Sequence, residues 1–193
     1  MFLTEEEILG TSAALNLTCD YFGQNAEMID AFFAANAQRK FTVMGCGSSY
    51  MLSKSAAAVL ASFPETAANA IPAGDYIADP AFWQDTVRGS IVLMLSRSGR
   101  TSEMVWAARK IKQSLGCPII SINAEADNDI TPMSDLELSM PWCHDNSVCQ
   151  TRTVTNLYAA ALLLAARYAK DDGLWKSVHD AAAGNEAFQA KYR

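Results

Sequence analysis

Two periodicities run along this chain, and the places where one gives way to the other mark its elements. Ile91 to Leu95 is an uninterrupted apolar run, with the length expected of a strand buried on both faces of a parallel sheet. Beyond it Met104, Val105, Ala108, Ile111 and Leu115 recur at helical spacing until Gly116 and Pro118 signal a stop. The same succession recurs on either side. Phe41 to Met44 reads as a strand before an Ala-rich helix from Met51 to Leu60, and Thr66 to Ile71 as a weaker strand after the break at Pro64. Pro72 to Trp83 reads as a loop holding a short helix. Pro118 to Ile122 and Asp135 to Met140 read as the last two strands, the second followed by a long helix from Thr151 to Tyr168. Ahead of the first strand, Thr4 with Glu7 forms a capping-box start for a helix to Tyr21. A second amphipathic helix, Asn25 to Gln38, carries Met28, Ile29, Phe32 and Phe33, and a terminal helix, Leu174 to Ala190, follows Asp171-Asp172-Gly173. Strands alternating with helices predict an α/β fold, a three-layer α/β/α arrangement around a five-stranded parallel sheet in flavodoxin-like order.

Composition narrows this picture. With 193 residues, half of them hydrophobic, the chain can bury one full core, so a single domain over 1–193 is expected. Within it, N-terminal helices occupy 1–38, the core 39–169 and a C-terminal helix 171–193. The formal charge is −6, and no Lys or Arg cluster exceeds a pair such as Arg39-Lys40, which argues against nucleic acid as a partner. Five scattered cysteines without paired spacing favour reduced thiols, and Cys143-His144-Asp145 with Cys149 lacks the second cluster that a zinc site needs. No metal is expected. The acidic start lacks the basic and apolar regions of a signal peptide, and no apolar run approaches the ~20 residues of a membrane span. These features point to a cytoplasmic protein with no membrane partner.

Candidate chemistry lies where strands meet helices. Ser96-Arg97-Ser98-Gly99-Arg100-Thr101 joins a strand's carboxyl end to a helix's amino end, where free N–H groups and the helix dipole favour an anion. Ser96, Ser98 and Thr101 supply hydroxyl donors, and Gly99 permits close backbone approach. Taken alone, the same residues would serve to cap and turn the chain. Gly45-Cys46-Gly47-Ser48-Ser49-Tyr50 repeats the logic, and two such turns can converge at the carboxyl edge of an open sheet. Tyr50 stands where the third glycine of a dinucleotide fingerprint would be, so a small phosphorylated ligand fits better than a dinucleotide. A third polar run, Pro141 to Thr155, again enters a helix from a strand. In it Asp145 could act as a base or as a helix cap, His144 as a proton shuttle or a packed loop residue, and Arg152 as a phosphate contact or a surface group. Tyr50 and Trp106 read as core residues rather than ligand stackers, and His179 as surface or interface.

Together, Gly45-Cys46-Gly47-Ser48-Ser49-Tyr50, Ser96 to Thr101, and Asp145-x-Ser147-Val148-x-x-Thr151-x-x-x-Thr155 resemble three signatures of the sugar isomerase (SIS) domain family. The likeness runs from about Phe41 to Ala169. It is greatest to the branch containing the isomerase half of glucosamine-fructose-6-phosphate aminotransferase, tagatose/galactosamine-6-phosphate isomerase-like proteins and fructosamine-6-phosphate deglycases. It implies a phosphosugar ligand bound without a cofactor, usually at a dimer interface, and hence a homodimer or higher homo-oligomer. Ser49, Ser96, Ser98 and Thr101 would hold the phosphate. Ser48, the Arg97 backbone and Val148 would lie beside the sugar. The activity implied is aldose–ketose isomerisation of a sugar or amino-sugar 6-phosphate, or a related deglycation or deamination, with Asp145 and His144 as the local catalytic candidates. The alternative is a non-catalytic phosphosugar-binding or regulatory module, or one half of a tandem protein, since this branch usually carries two such domains. Arg100 and Asp145 stand where Glu is frequent, and Gln150-Thr151-Arg152 replaces the Ser-Thr-Lys of the aminotransferase. No glutaminase domain is expected.

Overall fold

The computed structural model describes residues 2–192, so the outermost residues of the expected domain, Met1 and Arg193, lie outside it. Five strands form one sheet: β1 (Lys40–Gly45), β2 (Ala67–Pro72), β3 (Ile91–Ser96), β4 (Ile119–Asn123) and β5 (Leu136–Ser139). All neighbouring pairs are parallel and the order is β2-β1-β3-β4-β5, the flavodoxin-like order expected from the alternation of elements. The three central strands are buried along almost their whole length, and alternate side chains point to opposite faces. Ile91, Leu93 and Leu95 enter one core, and Val92 and Met94 the other.

Helices cover both faces. On one side pack α2 (Thr11–Gln24), α3 (Ala26–Ala35), α4 (Ser48–Ala61) and α8 (Arg152–Ala169), with α9 (Asp172–Tyr192) resting on α2 and α8. The other side carries α5 (Ala73–Ala78), α6 (Pro80–Val87) and α7 (Ser102–Leu115). The three layers are therefore as expected. β2 is an edge strand, and Pro72, which has no N–H to donate to a ladder, ends it.

Four local expectations are corrected. The first helix is two: α1 (Leu3–Leu9) ends at Gly10, which also begins α2. Thr4 and Glu7 form no capping box, because Phe2 is the residue ahead of α1 and no side chain caps it. The Glu7 carboxylate is directed instead at backbone amides of the loop after β5, which compete for the same oxygens. The segment from Pro72 to Trp83 holds two helices rather than one, with Asp79 capping the second by accepting from the Phe82 N–H at 3.0 Å. Trp106 is 56% exposed on α7 rather than in the core. A fifth difference bears on the site: α4 starts at Ser48, one turn earlier than the apolar spacing suggests, which puts Ser48 and Ser49 in its first turn.

Candidate functional site

Both glycine turns bring a helix amino end to the carboxyl edge of the sheet. At β1 the approach is closest: a Cβ on Gly45 would lie 2.6 Å from the Ser49 carbonyl group and 2.7 Å from the Tyr50 nitrogen. Only glycine lets α4 start against the strand end. At β3, Gly99 has φ +62°, and a Cβ there would run into the Asn128 side chain. Asn128 is itself fixed. Its amide group donates to Asn123 Oδ1 at 3.0 Å and to the Glu125 carbonyl at 2.9 Å, while its Oδ1 accepts from the Ile130 and Thr131 amides.

The serines of the second turn are oriented by their own backbone. Ser96 Oγ accepts from the Gly99 N–H at 3.0 Å, and Ser98 Oγ from the Arg100 N–H at 3.2 Å. Each hydroxyl proton is thereby left to donate elsewhere. Ser49, Ser96, Ser98 and Thr101 then converge on one cavity of about 100 Å³, together with Cys46, Arg97, Met104 and Gln150. That is well below the ~300–1,000 Å³ of a pocket enclosing a whole drug-sized ligand. It suits a single tetrahedral anion whose remainder projects outward. The amino ends of α4 and α7 flank it, and their dipoles favour an anion there although the chain is acidic. A larger cavity of about 750 Å³ lies at the opposite edge of the sheet, between the ends of α3 and α8, away from all three polar turns.

The remaining candidates are distributed differently. Ser48 is exposed, and Val148 is 93% exposed, so neither lines the cavity. The Arg97 guanidinium turns to the loop after β5, where Nη1 donates to the carbonyls of Asp145 at 3.3 Å and Ser147 at 2.9 Å. Asp145 is buried. Its Oδ2 accepts from the Thr151 and Thr153 amides at 2.6 and 2.9 Å, the cap that an acid ahead of a helix offers, and its Oδ1 lies 3.6 Å from Arg152 Nε. Beside it, His144 Nδ1 lies 3.4 Å from Glu125 Oε1, and the other oxygen of Glu125 pairs with Arg100.

Two residues at the site carried no role in the sequence pattern. Gln150 lines the cavity, and its Oε1 is buried without a hydrogen-bond partner. Its position within the third polar run was the available signal. Glu7 offered none: it is 3% exposed on α1 and accepts from the Asn146 and Ser147 amides at 2.7 and 3.0 Å and from the Ser147 hydroxyl. Burial pushes its carboxyl up, but these bonds and the nearby Arg152 outweigh that and hold it below its ordinary value of 4.5.

Comparison with solved structures shows the fold. Tagatose-6-phosphate ketose/aldose isomerase from Escherichia coli matches over 98% of this chain and 54% of its own, with a TM-score of 0.84 and 20% identity. Glucosamine-6-phosphate deaminase from Thermotoga maritima matches over 97% of this chain and 54% of its own, with a TM-score of 0.78 and 22% identity. The c3406 protein of Escherichia coli CFT073, solved as a complex, matches over 92% of this chain and 94% of its own, with a TM-score of 0.70 and 15% identity. The chain thus spans about half the length of the first two and nearly the whole of the third. No curated protein is significantly similar in sequence. The SIS domain family model matches residues 35–167, the segment that contains the sheet and all three polar turns, and the chain belongs to the SIS domain family.

Proposed function

We propose that this chain binds a sugar 6-phosphate with its phosphate in the cavity between α4 and α7, held by Ser49, Ser96, Ser98 and Thr101. The observation that carries this reading is the convergence of these four hydroxyls, from two separate strand-to-helix turns, on one small cavity at two helix amino ends. The sugar then extends toward the loop after β5, where Ser48, the Arg97 backbone and Val148 are its expected neighbours. Ser48 and Val148 are exposed, and the homodimer or higher homo-oligomer that the family resemblance implies would cover them over the sugar. The family membership and the phosphosugar names of its structural neighbours support this reading.

The chemistry proposed is proton transfer between C1 and C2 of an open-chain aldose or ketose phosphate through an enediol. A base takes the proton from one carbon and returns it to the other, while the neighbouring oxygens exchange a proton, so no net oxidation occurs. Of the two local candidates, His144 fits the transfer better. Asp145 has one oxygen committed to the α8 amides and the other beside Arg152, a positioning arrangement. That commitment, and the half-length match to two of the neighbours, favour a second reading: a binding module without turnover. No described helix is long and apolar enough to cross a membrane, and all five cysteines are free, which fits the cytoplasmic location proposed for either form.

Turnover separates the two. If the full chain converts fructose 6-phosphate or tagatose 6-phosphate to the corresponding aldose phosphate, or turns over a fructosamine 6-phosphate, and His144→Ala lowers kcat by about 10²-fold or more while binding survives, the isomerase reading holds. Saturable binding without turnover assigns the module.

A further inference from the structure

The loop from His144 to Thr151 has little regular structure, yet it is held from several sides. Arg97 and Arg152 hold its carbonyls, and Asp145 ties its end to the α8 amides. The amides of Asn146 and Ser147, at its outermost bend, are taken by Glu7. Glu7 lies in α1, outside the segment matched by the family model and about 140 residues away in sequence.

The way α1 docks is unusual. Glu7 is its one buried residue among those described, while the apolar Phe2, Leu3 and Ile8 are 85%, 47% and 46% exposed. A helix that only covered a core would bury its apolar residues, because burying a carboxylate is unfavourable unless hydrogen bonds replace its water. Here three donors from the loop do so. Gly10, directly after α1, leaves room for Arg152, whose Nη1 would be 3.0 Å from a Cβ at that position, so the charges of α1 and α8 interlock around the same loop. At the loop's inner end Gln150 Oε1 and Thr151 Oγ1 are buried without hydrogen-bond partners, and Gln150 lines the phosphate-sized cavity. Gln150 thus borders the cavity with an unused acceptor and Thr151 follows it in the chain, both on the loop whose bend Glu7 pins.

Resting on the proposed phosphosugar site, we propose that Glu7 is a positioning residue for the sugar end of the ligand: it pins Asn146 and Ser147 so that Gln150 and Thr151 face the sugar hydroxyls. The four hydroxyls proposed to hold the phosphate stand on the turns after β1 and β3 and make no hydrogen bond to Glu7 or its loop, so Glu7 reaches that end only through Arg97 and Gln150.

The two ends can be probed separately in the full chain with inorganic phosphate and with fructose 6-phosphate. Glu7→Ala is expected to weaken fructose 6-phosphate at least tenfold and to change inorganic phosphate affinity less than twofold. Glu7→Gln, which keeps one carbonyl oxygen for the loop amides, is expected to recover part of the loss. Amide hydrogen exchange at Asn146 and Ser147 should quicken in both variants, with exchange in β1 and β3 unchanged. Equal loss of both ligands, or unchanged fructose 6-phosphate affinity with quickened exchange, overturns the proposal. If Glu7→Ala does not fold, Glu7→Gln carries the same comparison. Wild-type protein that binds inorganic phosphate but gains nothing from the sugar overturns the positioning role alone, whereas wild-type protein that binds neither overturns the site itself.

Discussion

At the scale of single residues, the site depends on two glycines and four hydroxyls, of which those of Ser96 and Ser98 already accept from the backbone. Gly99 combines a left-handed φ with contact against Asn128, so Gly99→Ala adds backbone strain of ~1–2 kcal/mol to overpacking of ~1–3 kcal/mol. A drop in the urea midpoint equivalent to about 2 kcal/mol or more is expected, and an unchanged midpoint would contradict the packing described. The cysteines provide a second test. Burial, reinforced by Asp145, pushes the Cys143 thiol up to about 12, and burial lifts Cys19 to about 11, so both should resist a thiol reagent in the native state. Cys149 is exposed and should react first. Cys46 lines the proposed phosphate cavity and should react slowly, because burial and then Glu103 raise its thiol despite bonds from Ala73 and Gly74. Inorganic phosphate should slow Cys46 further and leave Cys149 unaffected; equal protection of both would place the anion elsewhere. The hydroxyl turns could be read in the sequence because their chemistry is local, a strand end, a glycine and a serine within a few residues of one another. Glu7 could not. Its partners are far along the chain, and its spacing from Thr4 satisfied a local rule that the fold did not use.

At the scale of elements, apolar runs and helical spacing determined most of what was legible. β3, β4 and α7 lie within a residue or two of their expected limits, since fully buried strands and a strongly amphipathic helix have unambiguous periods. The short α5 and α6 were less distinct, because two helices of under ten residues either side of Asp79 leave too few turns for a period. The join of α1 and α2 at Gly10 was hidden for another reason: one glycine in a helical pattern is usually tolerated, and the approach of Arg152, 3.0 Å from where a Cβ would stand, is visible only in the fold. The contact between α1 and the loop after β5 also has a pH signature. Because Glu7 is held below its ordinary 4.5 in the folded chain, its contribution to stability is complete above that value and is lost as pH falls through the lower folded value. At pH 7, Glu7→Gln should therefore be less stable than wild type by about 1.5–3 kcal/mol in urea unfolding, the range for a hydrogen-bonded charged group. The difference should shrink as the pH falls below 4.5 and wild-type Glu7 takes up its proton. A difference independent of pH would show that the charge of Glu7 plays no part.

At the scale of the whole molecule, one parallel sheet carries polar turns at the carboxyl ends of β1, β3 and β5, and strand order brings them to a common edge. β1 and β3 are neighbours, so their turns share the cavity directly; β5 lies two strands from β3, and its loop is reached through Arg97. The central claim is that this edge anchors a sugar phosphate through the hydroxyls of the first two turns. Isothermal titration of fructose 6-phosphate into the wild-type chain and into the double variant Ser98→Ala with Thr101→Ala tests it most directly. Saturable binding is predicted for wild type, with a loss of at least tenfold in the folded double variant, from hydrogen bonds to a charged group of ~1.5–3 kcal/mol each. Equal affinity in the two proteins would contradict it.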